Sequence, residues 1–241
     1  MRWVVLAVLV GCGRIAFDPQ GAAGDATGSN HDGGLGSDGG GSAAIDFIQA
    51  KGSGYDTATT GALAWPAAVT TGDLLLVGID FGSSTGTVAT VTDDLHNTWT
   101  LAGPIDGYTR EYVAYAIANG TGLDTTQVSV TESSNYLELR LHEYRGVSAT
   151  TPLDGVFGNS IDTMPATVSV TTHAPNQLVF VMTIFIAATT PSAGTGFTLR
   201  DNYADDLTED KIVTTPGTLN ATTMYSSFSQ WTSMVAVFNP N

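Results

Sequence analysis

The most regular pattern of chemically active side chains lies at residues 136–144. Three leucines alternate there with side chains that hydrogen-bond or stack, namely Tyr136, Glu138, Arg140, His142 and Tyr144. Because successive side chains of a β-strand point to opposite faces, the pattern predicts a strand with one apolar and one exposed polar face. Aromatic rings stack on sugars and charged groups bind hydroxyls, so this face is a candidate platform for a glycan or peptide. The alternative is a solvated face with laterally paired charges, or a face covered by a loop.

Glu143 departs from this pattern, because strict alternation places it on the leucine face. A buried carboxylate is costly unless hydrogen bonds satisfy it. We expect a structural role for Glu143: either a bulge moves it outward, or it accepts hydrogen bonds from the backbone or a tyrosine.

A second concentration of chemistry is the acidic stretch at residues 201–210, where five of ten residues are Asp or Glu. Calcium takes six to eight hard oxygen ligands, so Asp201, Asp205 and Asp206 are candidate calcium ligands. The stretch lacks the spacing of an EF-hand loop, and a plain acidic surface loop is the alternative. We expect no other cofactor, since the histidines and the single Cys lack the spacing of a zinc site.

A Gly-x-Ser-x-Gly motif at residues 82–86 matches the nucleophile elbow of hydrolases. That elbow requires a helix directly after the serine, to expose its hydroxyl. An alternating β-branched run follows instead, so we interpret the motif as a glycine-rich hairpin loop.

The N-terminus carries the signature of a secretory signal. Arg2 precedes an eight-residue apolar run at residues 3–10, and small residues follow it. A positive start, a short apolar run and small residues before a cleavage point are typical of a signal peptide. The run is too short to span a bilayer as a helix, which takes about 20 residues.

The tetrapeptide Leu9-Val10-Gly11-Cys12 ends this signal. It resembles the lipobox of bacterial lipoproteins. The resemblance implies that residues 1–11 are removed and that lipid on Cys12 anchors the chain in a membrane. Gly13, in place of the Asp that favours retention in the inner membrane, points to the outer membrane or cell surface. The alternative is a chance Cys in a plain signal peptide.

The segment at residues 12–43 is predicted to be a flexible tether. Its stretch 19–42 contains nine Gly and no aromatic residue, so it cannot bury enough apolar surface to offset the entropy of ordering. The chain has a formal net charge of −15, and residues 44–241 hold 19 acidic but only six basic residues. Nucleic acid is therefore not expected as a partner, because its recognition needs a basic footprint.

Residues 44–241 alternate short β-branched and aromatic runs with Gly, Pro, Asn and Asp turns. Many short strands at this spacing are typical of an antiparallel sandwich or barrel. Residues 74–81 form an apolar run, which predicts a central strand covered on both faces. We therefore predict an all-β fold, a single antiparallel sandwich over residues 44–241.

Several short motifs follow one another along the same region: WPAAVTTGDLLLV at 65–77, VTDDLHNTWT at 91–100, LHEYRGV at 141–147, NQLV at 176–179 and VAVF at 235–238. Their order resembles a β-sandwich module of bacterial surface and secreted proteins. His96 stands where such modules usually have Gly. The resemblance implies a jelly-roll-like sandwich, often part of adhesins or polysaccharide-associated proteins, and it supplies no catalytic residues.

Together these patterns predict a lipid-anchored protein of the cell envelope that binds or adheres without catalysis. Its expected partners are the membrane, through the lipid, and an extracellular glycan or surface protein. The alternatives are a carbohydrate-active hydrolase or lyase that uses carboxylates such as Glu138, and a purely structural envelope component. An enzyme predicts a deep pocket with two acids in perturbed environments, whereas a binding module predicts a shallow aromatic-lined face.

Overall fold

The computed structural model describes residues 44–83, 85–133 and 136–241. The predicted signal peptide, Cys12 and the tether lie outside the described residues, as does Ser84 of the Gly-x-Ser-x-Gly motif. In the described ranges the regular structure is β-strand, apart from one 3-10 turn at Tyr203–Asp205. Among the described residues, no helix is long and hydrophobic enough to cross a membrane.

The first half of the described chain forms eight strands. They are β1 (Asp46–Asp56), β2 (Thr60–Ala64), β3 (Leu74–Phe81), β4 (Val88–Asp93), β5 (Thr100–Asp106), β6 (Arg110–Ile117), β7 (Thr125–Val130) and β8 (Tyr136–Arg145). Five of them form a sheet in the order β1-β8-β3-β6-β5, and the other three form a sheet in the order β2-β7-β4. The loop with the Gly-x-Ser-x-Gly motif thus joins two sheets, and the expected hairpin is not formed.

The second half repeats this arrangement. Its strands are β9 (Leu153–Ile161), β10 (Ala166–Thr172), β11 (Gln177–Phe185), β12 (Pro191–Ser192), β13 (Thr198–Asp201), β14 (Leu207–Val213), β15 (Gly217–Tyr225) and β16 (Trp231–Phe238). The sheet orders are β13-β14-β11-β16-β9 and β10-β15-β12. Adding eight to each strand number of the first half reproduces both orders, so a jelly-roll-like topology of eight strands occurs twice.

The predicted all-β antiparallel sandwich is confirmed, and the structure adds that it is doubled. The described residues belong to one compact unit. One apolar core lies between each three-stranded sheet and its five-stranded partner, and a third lies between the two five-stranded sheets. The five-stranded sheets are therefore the two inner layers of four, which explains why β3, β11 and β16 are buried along their whole length. The sequence prediction for residues 74–81 is confirmed.

The two ends of β8 lie at opposite ends of the first half. At the Arg145 end the chain enters from residue 44, and the N–H of Asn241 donates to the carbonyl of Gly146. Gly146 has φ +85°, and a Cβ there would lie 2.5 Å from the carbonyl oxygen of Ala44, so glycine is required. Tyr136 lies at the other end, roughly 30 Å away at about 3.4 Å per residue.

Gly78 of β3 allows the inner sheets to approach closely. A Cβ added there would lie 2.6 Å from the Sδ atom of Met182 on β11, in a fully buried contact. We expect Gly78→Leu to lower the free energy of unfolding by about 1–3 kcal/mol through overpacking. Met182→Ala should lower it by about 2–5 kcal/mol.

Urea denaturation of the double variant tests this contact. Because alanine at 182 leaves room for leucine at 78, the double variant should lose about 0.5–3 kcal/mol less than the sum of the single losses. Gly120→Leu is the matched control, since nothing lies within 4 Å of a Cβ at Gly120. Simple additivity of the two core substitutions would contradict the proposed packing.

Candidate functional site

The polar side chains of β8 that face the second half form hydrogen bonds across the core between the two five-stranded sheets. Their partners lie on β14 and at Asp206, the residue directly before it. Partners occur at every second residue on both sides, as expected for two facing strands. The pairs are Arg140 with Asp206 at 3.0 Å, His142 with Thr208 at 2.8 Å and Tyr144 with Asp210 at 2.8 Å. Each joins the first half to the second.

This arrangement corrects the prediction of an exposed platform on β8. Arg140 and His142 are 0 % exposed and Tyr144 is 1 % exposed. The side chains of β8 do alternate between a leucine face and a polar face, but the second five-stranded sheet, and not solvent, covers the polar face. Tyr136 and Glu138, at the end of the strand, remain partly exposed.

His142 is a neutral hydrogen-bonding residue in this core. Burial, with the positive charges of Arg140 and Arg200, lowers the pKa of His142 to about 3. Its Nδ1 lies 3.3 Å from the carbonyl oxygen of Arg140, which can only accept, so Nδ1 carries the proton. Nε2 then accepts from the hydroxyl of Thr208.

Glu143 has the structural role expected from the sequence. Its carboxylate is buried and accepts a hydrogen bond from the Nε2 atom of Gln49 at 2.5 Å. It also accepts the backbone N–H of Thr70 at 2.9 Å. These donors, and not a tyrosine or a bulge at that residue, satisfy the carboxylate.

Arg140 is the centre of a buried charge cluster at the Tyr136 end of β8. Its guanidinium donates to the carboxylates of Asp80 at 2.6 Å, of Asp206 at 3.0 Å and of Glu138. Asp80 stands directly opposite Glu138 in the pairing of β3 with β8. Carboxylates from β3, from β8 and from the segment before β14 therefore all contact the guanidinium of Arg140.

A fourth carboxylate, Glu111 of β6, stands opposite Asp80 on the other side of β3. It is 0 % exposed, and its Oε1 atom accepts a long hydrogen bond from the Thr109 hydroxyl at 3.4 Å. The Oε2 atom of Glu111 and the Oδ2 atom of Asp80 have no hydrogen-bond partner. We call Asp80, Glu111, Glu138 and Asp206 the acidic cluster. Three carboxylates thus contact one guanidinium, and the fourth, Glu111, stands beside Asp80.

This excess of acid disfavours full ionisation of the acidic cluster. Burial raises the pKa of Asp80 to about 7 and that of Asp206 to about 8, although Arg140 acts in the opposite direction. Burial and the charges of Asp80 and Asp206 raise the pKa of Glu111 well above its usual range. Bound protons or a bound cation must offset the surplus negative charge near neutral pH.

Two cavities open at this end of the molecule. One, of about 210 Å³, is lined by the acidic residues Glu138 and Asp206 together with Tyr136, Ile184, Phe185, Ile186 and Ala204. The other, of about 600 Å³, is lined by Gly82, Ser83, Asp106, Gly107, Tyr108, Thr109, Arg110, Tyr136 and Ile186. We call the larger one the end cleft. Tyr136 and Ile186 line both cavities, so the end cleft adjoins the acidic cluster.

The end cleft presents an aromatic ring beside a fixed ion pair. Tyr108 is 43 % exposed, and the Nε atom of Arg110 donates to Asp106 at 2.6 Å. That hydrogen bond lowers the pKa of Asp106, so its carboxylate stays ionised. Arg110 is further held by the carbonyl oxygen of Gly86, which accepts from Nη1 at 2.7 Å.

The turn that carries Tyr108 is held by the second half. The backbone N–H of Tyr108 donates to the hydroxyl of Ser160 at 3.1 Å, and the N–H of Thr109 donates to the hydroxyl of Thr232 at 3.2 Å. The turn at Tyr108 and Thr109, which forms one side of the end cleft, is therefore held in place by the protein itself. Pre-organisation of this kind reduces the entropic cost of binding.

The three residues predicted as calcium ligands, Asp201, Asp205 and Asp206, have different surroundings in the structure. Asp201 accepts the backbone N–H of Tyr203 at 3.3 Å, and Asp205 is exposed. Asp206 turns inward to Arg140. In the described residues, one group of three acids has carboxylate oxygens within 4.8 Å of one another, and it comprises Asp80, Glu138 and Asp206.

Sequence reasoning missed Asp80, Glu111 and the Tyr108 turn. Asp80 is the one charged residue of β3, and Glu111 precedes the apolar and aromatic remainder of β6. An acid in such a run signals a buried partner. Comparison of the chain with protein-family models, with curated proteins and with solved structures found no match.

We expect Arg140→Met to lower the free energy of unfolding by about 3–5 kcal/mol, because it leaves buried carboxylates without their counter-charge. Arg145→Met is the control, since that side chain is 55 % exposed and lies 3.5 Å from Asp73. Because solvent reaches the Arg145 side chain and screens its contact with the buried Asp73, the pair contributes at most about 1 kcal/mol. Urea denaturation measures both, and equal losses would show that Arg140 does not organise the cluster.

Proposed function

We propose that this protein is a lipid-anchored, non-catalytic module of the bacterial cell surface that binds a glycan in the end cleft. The observation that carries the proposal is the exposed ring of Tyr108 beside the Asp106–Arg110 ion pair. Sugar rings offer apolar faces that stack on an aromatic ring. Their hydroxyls both donate and accept, which matches a carboxylate next to a guanidinium.

The rest of the lining supports a polar ligand. Ser83 contributes a hydroxyl-bearing side chain to the lining of the end cleft, and Tyr136 is a second aromatic residue there. Of the residues proposed from the sequence, Tyr136 keeps a place in this site. The binding surface lies at the end of β8, and not along its face.

The anchor belongs to the same proposal. Lipid on Cys12 would hold the chain in the membrane, and residues 12–43 would act as a spacer. A Gly/Ser-rich coil of about 24 residues has a root-mean-square reach of roughly 25–30 Å. A domain with 19 acidic and six basic residues would also be repelled by an anionic membrane surface.

A second candidate function is hydrolysis or elimination on a bound polysaccharide. Glu138 and Asp206 both line the cavity that adjoins the end cleft, and two acids are what such chemistry uses. Against it, both carboxylates already accept from Arg140, and Asp206 also accepts the backbone N–H of Phe185 at 2.7 Å. Binding is therefore the function that the site supports better.

Tyr108→Ala tests the binding site. On a glycan array with the detergent-solubilised protein, we expect wild-type protein to bind a subset of glycans. The variant should bind them about tenfold more weakly or worse, as for loss of an aromatic hot spot. Leu123→Ala is the matched control, because Leu123 is 80 % exposed and lies outside the end cleft.

Three outcomes would contradict the binding proposal. They are no binding to any glycan, equal losses for the two variants, and the release of shorter products from a polysaccharide. The last would favour the hydrolase or lyase if Glu138→Gln abolished it.

Cys12→Ser tests the anchor. We expect the wild-type protein to partition into the detergent phase of a Triton X-114 extract and to incorporate labelled palmitate in bacteria. The variant should lose the label, since serine offers no thiol for lipidation. A variant that kept the label would place the lipid elsewhere and refute this part of the proposal.

A further inference from the structure

We propose that the acidic cluster binds one hard divalent cation of the Ca²⁺ type, reached through the cavity lined by Glu138 and Asp206. Oxygens of Asp80, Glu138 and Asp206 lie within 4.8 Å of one another. Calcium lies about 2.3–2.6 Å from each ligand, so oxygens on opposite sides of an ion are at most about 5 Å apart. The three carboxylates therefore already stand at the separation that a shared ion requires.

The hydrogen-bond inventory points to the same ligand. The Oδ2 atom of Asp80 is buried, belongs to one of the three proposed ligands and accepts from no donor. The Oε2 atom of Glu111, on the strand beside it, is in the same condition. Buried carboxylate oxygens in native proteins nearly always have a partner. A cation in the cluster supplies that partner for Asp80 and a counter-charge for Glu111.

The net charge of the acidic cluster and Arg140 is negative when all four acids are ionised, which favours a bound cation. Of the described basic residues, Arg140 is the one that contacts these carboxylates, and it brings one positive charge against four acids. It contacts one oxygen of each of Asp80, Glu138 and Asp206. The second oxygen of Asp80 has no donor, and the second oxygen of Asp206 accepts the N–H of Phe185. A divalent cation beside Arg140 would bring the charge of the cluster close to neutral.

Access and coordination are also provided. The side chain of Glu138 is 13 % exposed and that of Asp206 is 7 % exposed, both toward the 210 Å³ cavity. Water in this cavity can complete the six to eight ligands that Ca²⁺ takes. The donor set contains only oxygen, which favours Ca²⁺ over zinc or copper. The inference does not depend on glycan binding, because no residue unique to the end cleft takes part.

The test uses chelator-treated protein titrated with Ca²⁺ alone, followed by calorimetry and by thermal unfolding. At a Ca²⁺ concentration about 100-fold above the Kd, the Tm of the wild-type protein should rise by roughly 5–10 °C. A Tb³⁺ titration gives an independent readout, since Tyr136 lines the same cavity and can sensitise its luminescence. Ca²⁺ should displace the Tb³⁺ signal.

Two variants locate the ion. Glu138→Gln removes one ligand charge without changing the volume, and Glu111→Gln removes the neighbouring charge. Each should weaken Ca²⁺ binding by about 10- to 100-fold. Asp205→Asn is the matched control, because this exposed acid precedes Asp206 in the chain but lies outside the acidic cluster. Its affinity should equal that of the wild-type protein.

The inference fails if Ca²⁺ produces neither heat nor a Tm shift in the wild-type protein. It also fails if Glu111→Gln raises the Tm while Ca²⁺ has no effect, because protons alone would then neutralise the cluster. Loss of binding in Asp205→Asn, with Glu138→Gln unchanged, would move the site to the loop. Because the wild-type titration stands alone, a variant that does not fold leaves the test intact.

Discussion

The buried guanidinium of Arg140 is the interaction on which the joining of the two halves depends. Removing a guanidinium from water is costly, and the cost is offset only where carboxylates surround it. Here Asp80 and Glu138 come from the first half and Asp206 from the second. The two inner sheets can therefore separate only by exposing the arginine or leaving one side of the cluster unpaired. Such a contact specifies the relative position of the halves more strictly than an apolar interface would.

The repeat is one of topology and not of chemistry. The inward pairs of β3 and β8 are Leu74–Tyr144, Leu76–His142, Gly78–Arg140 and Asp80–Glu138, whereas those of β11 and β16 are Leu178–Phe238, Phe180–Ala236, Met182–Met234 and Ile184–Thr232. The residues that β8 contributes to these pairs are polar or carry a hydroxyl, whereas those that β16 contributes are apolar except for Thr232. The second half instead places its polar residues on β14, where they meet β8. The two halves thus share one topology but have complementary residues at their interface, and the acidic cluster needs residues from both.

Sequence patterns predicted the class of fold and the strands at residues 74–81 and 136–144, because periodicity reports directly which side chains share a face. They did not predict the strand at Leu153–Ile161 or the start of β14 at Leu207, which lies in the acidic stretch. They did not predict what lies opposite each face. The alternation around Arg140 and His142 distinguishes two sides of β8, but it reads the same whether water or another sheet covers the polar side. The sequence did not reveal the repeat for a related reason. Pairs such as Gly78–Arg140 and Met182–Met234 occupy corresponding positions in the two halves, but their side chains have no chemical similarity. Asp80 and Glu111 come together through strand register, which no local pattern encodes.

The position of residue 44 has a consequence for orientation. The chain enters the domain at the Arg145 end of β8, and the end cleft opens at the Tyr136 end, roughly 30 Å further on. If the anchor proposed on Cys12 is correct, the chain is attached at the end of the domain opposite the end cleft, and the length of β8 separates the attachment point from the proposed ligand site.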